Sequence, residues 1–156
     1  MLLILGIDPG AGGALALYDP SGQIQPALYD MPSDPLVLAR LITAIAAHDE
    51  LEVVIEQVHS LPRQQGAFRF GFTTGIIHGV LAAHDLVPAL APPSQWKPAM
   101  GLRRMPDESE TQNKARARAL ATQLFPQIAT QFKRVRDDGR AEALLLAVYY
   151  HNKKAQ

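Results

Sequence analysis

The chain contains no cysteine. That excludes disulfides, thiolate metal sites and a cysteine nucleophile, and it accords with a cytoplasmic location. Long apolar runs are missing too: none approaches the roughly 18 residues that a membrane span needs. The opening Met1-Leu2-Leu3-Ile4-Leu5-Gly6 has neither a basic flank nor a cleavage-like site, so it does not read as a signal peptide. Net charge is also absent, at a formal zero. On that ground alone a strong polyanion binder is disfavoured. The distribution argues otherwise. Up to His78 there are 3 Lys/Arg against 8 Asp/Glu, a net of −5, and from Gly79 onward 12 against 7, a net of +5. A neutral chain so polarised has room for a basic face.

What is present suits one α/β domain spanning 1–156, with 47% hydrophobic residues to fill its core. Residues 2–8, 13–18 and 23–30 read as an antiparallel meander, with Asp19-Pro20-Ser21-Gly22 as a turn. Asp34-Pro35 opens a helix whose apolar stripe includes Leu38, Ile42 and Ile45. "LEVVIEQV", 51–58, carries the contiguous β-branched residues of a central strand. A loop, 59–66, leads into a helix ending near His84, and "LVPALAP" forms a short strand that Pro88 assigns to an edge. A helical turn over 93–100, a helix over 110–125 stopped by Pro126, and a last helix from about Asp138 to Tyr150 complete the chain. The order β-β-β-α-β-α-β-α-α predicts a mixed sheet flanked by helices.

Four acids stand out. Asp8 ends the first strand and Glu56 lies near the end of the fourth, while Asp138 and Glu142, four apart, share one face of the last helix. If the first and fourth strands are neighbours, these carboxylates converge and repel one another unless cations lie among them. Hard divalent ions such as Mg²⁺ take carboxylate oxygens together with water and phosphate oxygens. Two ions roughly 4 Å apart activate a water and stabilise the leaving oxygen of a phosphodiester. Singly, each acid has an ordinary reading: Asp8-Pro9-Gly10 as a turn, Glu56 as an arginine partner, Asp138 as a helix cap. Their joint placement is what points to a metal.

The motifs resemble those of the RuvC-type Holliday-junction resolvases of the ribonuclease H-like superfamily. "GIDPGAGGALAL" is similar to the family's first motif, "VVIEQV" to its second, "FGFTTGIIHGVLAA" to its dimer helix and "GRAEALLLAVYY" to its closing helix. The resemblance implies a five-stranded mixed sheet, three antiparallel strands followed by parallel ones. It implies a homodimer that binds four-way DNA junctions and makes paired symmetric nicks with two Mg²⁺ or Mn²⁺ ions per site. It assigns metal binding and catalysis to Asp8, Glu56, Asp138 and Glu142, with Asp137 as the alternative to Asp138. The chain departs from the bacterial pattern of two aspartates three apart: its last acid is a glutamate, and the position three before it is Gly139. A branch-migration helicase partner has no support in the residues.

"HSLPRQQGAFRFGF" interleaves Arg63 and Arg69 with Phe68, Phe70 and Phe72, so cations to hold phosphates alternate with rings to stack on an unpaired base. In the family this region reaches the junction centre, which makes Phe68 or Phe70 the expected wedge. Lys97, Arg103, Arg104, Lys114 and Arg118 are further DNA-binding candidates. Lys133, Arg134, Arg136 and Arg140 flank the acids and are expected to hold the cleaved strand, and Trp96 reads as a packing anchor. Gly71, Gly75 and Gly79 recur at every fourth position, a stripe that fits either close packing on the chain's own sheet or a two-fold dimer contact. Other readings are a ribonuclease H-like nuclease acting on flaps or RNA–DNA hybrids, a non-catalytic junction-binding protein, and an actin-like ATPase fragment, for which the chain is short.

Overall fold

In a computed structural model, residues 1–58 and 65–156 are described. β1 (Leu3–Asp8), β2 (Ala14–Tyr18) and β3 (Ala27–Asp30) form the antiparallel meander, with Ile4 opposite Tyr18 and Asp8 opposite Ala14. β4 (Leu51–Glu56) lies parallel to β1, and β5 (Ala89–Ala91) parallel to β4, giving the order β3-β2-β1-β4-β5. The expected five-stranded mixed sheet is present, and the Pro88 strand is at its edge.

Alternation along β1 divides the core in two. Leu3, Leu5 and Ile7 face α1 (Pro35–Ala46) and α2 (Ala67–Ala83), packing with Leu38, Ile42, Ile77 and Leu81. Asp34 caps α1 as expected, accepting from the Leu36 N–H at 2.8 Å. On the opposite face Ile4, Ala14, Ala16 and Val54 meet α5 (Asp138–Lys154), with α3 (Pro93–Ala99) and α4 (Glu110–Leu124) outside it. α5 passes so close to β1 that a Cβ at Gly6 would stand 2.1 Å from the Ala143 carbonyl oxygen. Any larger residue at position 6 would push the helix off the sheet.

The third strand is shorter than the 23–30 read from the sequence. Asp19 is the reason: its carboxylate accepts from the N–H groups of Ser21, Gln23 and Ile24 and from the Ser21 hydroxyl, at 2.6–3.0 Å. That closes residues 19–24 into a turn. The fourth strand ends at Glu56 rather than 58, and the fifth spans only Ala89–Ala91. No helix among the described residues is long and apolar enough to cross a membrane.

Candidate active site

Because β1 and β4 are parallel neighbours with Ile7 paired to Ile55, the next residue on each strand is an acid at the same sheet edge. Asp8 and Glu56 are thereby brought together, and the N-terminal part of α5 lowers Glu142 onto them. Oxygen atoms of Asp8, Glu56 and Glu142 all lie within 4.8 Å of one another. They line a cleft of about 340 Å³ that also receives Asp138, Lys97 and Lys114.

Glu56 and Glu142 are only 7% exposed, so their carboxylates have lost most of their water. Burial, then the charge of Glu142, pushes the Asp8 carboxyl up to about 6. Burial, then the charges of Asp8 and Glu142, raises Glu56 to about 7. Specific donors resist this. Gly10 N–H donates to Asp8 Oδ1 at 3.2 Å, Trp96 Nε1–H to Glu56 Oε1 at 3.0 Å, and Lys97 Nζ to Glu142 Oε1 at 2.9 Å. Each of the three acids therefore has one oxygen engaged and, among the described residues, a second oxygen with no hydrogen-bond donor. Three hard oxygen donors converging in a cleft where negative charge is costly fit a divalent cation.

Trp96 does more than the packing expected of it. It is fully buried, and its indole fixes the rotamer of an acid 40 residues away. Orientation of a ligand by an outer hydrogen bond tunes metal sites generally. No sequence signal separates this tryptophan from an ordinary core residue. Lys97 and Lys114, read as DNA contacts, both stand inside the acid cleft. Burial opposes the charge on Lys114, yet Glu110, at 3.2 Å, and then Glu142 and Asp138 hold its pKa above the usual lysine value.

The two adjacent aspartates have different fates. Asp137 is 1% exposed and accepts from the Arg134 N–H at 2.8 Å and from the Arg134 guanidinium. It closes the turn before α5 and does not line the cleft. Asp138 does line it, but its carboxylate is ion-paired with Arg118, and it stands outside the three-acid group. Gly139 explains the spacing that departs from the bacterial pattern. A Cβ there would lie 2.3 Å from the Gly12 carbonyl oxygen, so this α5 position admits no aspartate against the β1–β2 turn as it stands.

The remaining candidates disperse around the cleft. Arg103 and Arg104 line, with Lys97, a neighbouring hollow of about 400 Å³. Phe68 is 88% exposed and stacks on Phe72, with ring centroids 6.4 Å apart. Arg69 and Phe70 face a third hollow on the α2 side. Arg134 and Arg140 are engaged with acids: Arg140 forms a double hydrogen bond with Asp30 at 2.7 and 2.8 Å, and Arg134 holds Asp137. Gly71, Gly75 and Gly79 are exposed, and among the described residues a Cβ at any of them would meet nothing within 4 Å. The stripe does not pack on the chain's own sheet. Arg63 lies outside the described residues.

No protein-family model and no curated protein matches the chain. Solved structures do. The chain is similar in fold to Thermus thermophilus RuvC. One RuvC structure aligns over 98% of this chain and 97% of its own, with a TM-score of 0.61 and 13% identity. T. thermophilus RuvC in complex with a Holliday junction substrate aligns over 98% and 96%, with a TM-score of 0.60 and 15% identity. At such identity the likeness is one of fold, and it matches the ribonuclease H-like architecture expected from the motifs. RuvC thus supplies the topology, while the acids and lysines of this chain must be argued from their own geometry.

Proposed function

We infer that the chain is a divalent-metal-dependent endonuclease that resolves four-way DNA junctions by paired nicks. The observation that carries this reading is the convergence of Asp8, Glu56 and Glu142 in one cleft beside Lys97 and Lys114. Its support is the RuvC-like fold, which includes a relative solved with a Holliday junction.

Asp8, Glu56 and Glu142 hold Mg²⁺ or Mn²⁺, and Asp138 stands beside them as the fourth acid. Ions so held supply Lewis-acid stabilisation of phosphodiester hydrolysis and a water of lowered pKa. Trp96 keeps the Glu56 carboxylate turned into the cleft. Lys97 and Lys114 neutralise phosphate oxygens of the bound strand, and Arg103 and Arg104 extend that contact along the backbone. Phe68, exposed at the start of α2, enters the junction and stacks on an unpaired base. The open glycine face of α2 meets its twin in a homodimer, which presents two matched sites to a two-fold junction.

The test is cleavage of a synthetic four-way junction with Mg²⁺ and with EDTA, alongside flap and RNA–DNA hybrid substrates. Symmetric nicks in the junction alone, only with Mg²⁺, are expected. Preferential cutting of flaps or hybrids assigns the chain to another nuclease class, and metal-independent binding without cleavage makes it a binding protein.

A further inference from the structure

The four acids of the cleft are not held alike. Asp8 and Glu56, at the strand ends, accept from neutral N–H donors, those of Gly10 and Trp96. The two acids of α5 are met by cations, Glu142 by Lys97 and Asp138 by Arg118. Lys97 stands in the cleft, and the acid it touches still belongs to the converging group of three. Asp138 differs on both counts. It stands outside that group, and Arg118 does not line the cleft, so the guanidinium reaches it from the packed boundary of α4 and α5. Both side chains of this pair are only 16% exposed, so solvent screens it far less than a surface pair. Lys114, one turn before Arg118 on α4, is paired instead with Glu110.

The backbone explains why the fourth acid came within reach of α4. Position 139 of α5 faces the Gly12 carbonyl and has no room for a side chain. One residue is about 100° of helix, so an acid at 138 is turned from that contact towards Arg118. We propose, on the nuclease reading above, that Arg118 competes with the second metal ion for Asp138. Asp8, Glu56 and Glu142 bind one ion through carboxylates whose crowded charges seek a cation. Asp138 offers the other ion a charge that Arg118 has already offset, so the two ions bind with unequal strength and the Arg118–Asp138 pair sets the weaker step. A guanidinium is not deprotonated in proteins, so the competition does not fade as pH rises. Arg118 thereby sets the cation concentration at which the cleft fills, a role distinct from the DNA contact expected of it.

Calorimetric titration with Mn²⁺ at pH 7.5, without DNA, tests this. The wild type should take up two ions in separate steps. Arg118→Gln removes the charge while keeping a polar side chain, and should tighten the weaker step about tenfold or more, the low end of what a charge-assisted pair supplies, while the tighter step stays put. Arg118→Lys, which keeps the charge, should stay near the wild type. In an Asp138→Asn background Arg118→Gln should alter neither step, and melting in EDTA shows that each protein titrated is folded. The Mg²⁺ concentration for half-maximal nicking should fall in Arg118→Gln alongside the Mn²⁺ affinity. A weaker step that is unchanged or loosened in Arg118→Gln, or the same gain with Asp138 already replaced, overturns the competition while leaving the metal site intact. No uptake by the wild type at millimolar Mn²⁺ overturns the reading beneath it.

Discussion

Replacing Asp8 by asparagine should stabilise the metal-free protein and cancel its response to Mg²⁺. Holding a carboxyl ionised at pH 8 when its folded pKa has risen from 3.8 to about 6 costs about 3 kcal/mol. The sign follows from proton uptake. The folded state binds the Asp8 proton more tightly than the unfolded state, so the advantage of the protonated group is fully present below about pH 4 and the cost of ionising it develops as pH rises through 6. Asparagine has no proton to lose, and its side-chain oxygen can still accept from Gly10 N–H. The variant also removes one of the charges that raise Glu56. For a chain of this size 1 kcal/mol corresponds to about 2–4 °C in Tm, so Asp8→Asn should melt about 6 °C or more above the wild type at pH 8 in EDTA. The gap should close towards pH 4. Mg²⁺ at about 100 times its Kd should then raise the wild type by about 2.7 kcal/mol and leave the variant unmoved. Melting curves of both proteins from pH 4 to 8.5, with EDTA and with Mg²⁺, decide the matter. A variant no more stable than the wild type at pH 8, or a gap that does not vary with pH, refutes the charge-crowding argument.

Other outcomes follow from individual contacts. Trp96→Phe removes the donor that favours the ionised form of Glu56, so the acid limb of the nicking pH profile should move to higher pH; an unmoved profile denies the indole any role at the site. Asp137→Asn should lower stability by about 1–3 kcal/mol through its bonds to Arg134 while Mg²⁺-dependent nicking persists, and Asp138→Asn should do the reverse, as paired melts and nicking rates would read. Gly139→Ala drives a methyl into the Gly12 carbonyl and should destabilise by about 1–3 kcal/mol and slow nicking, whereas unchanged melting would mean that the turn yields freely.

Much of the frame was legible in the residues, because β1 and β4 carry contiguous apolar runs that each end in an acid, and Asp34, Pro126 and Pro88 mark boundaries by their capping and backbone chemistry. The shared face of Asp138 and Glu142 follows from helical spacing alone. What was not legible depends on contacts between distant segments. Trp96 meets Glu56 across 40 residues and Lys97 meets Glu142 across 45, and no local pattern announces either pair. The burial of Asp137 away from the cleft depends on Arg134, whose backbone and guanidinium both bind its carboxylate. The third strand was overestimated because Asp19 converts what looked like extended chain into a turn. The glycine stripe was ambiguous in sequence, and its exposure on α2 removes the intrachain reading.

The account stands on Asp8, Glu56 and Glu142 as holders of divalent ions. Titrating the wild type and Asp8→Asn with Mn²⁺ at pH 7.5, followed by electron paramagnetic resonance of the free ion, measures this without any substrate. The wild type should bind two ions per chain and the variant should lose that binding. Equal uptake by both proteins, or none by the wild type at millimolar Mn²⁺, would contradict it.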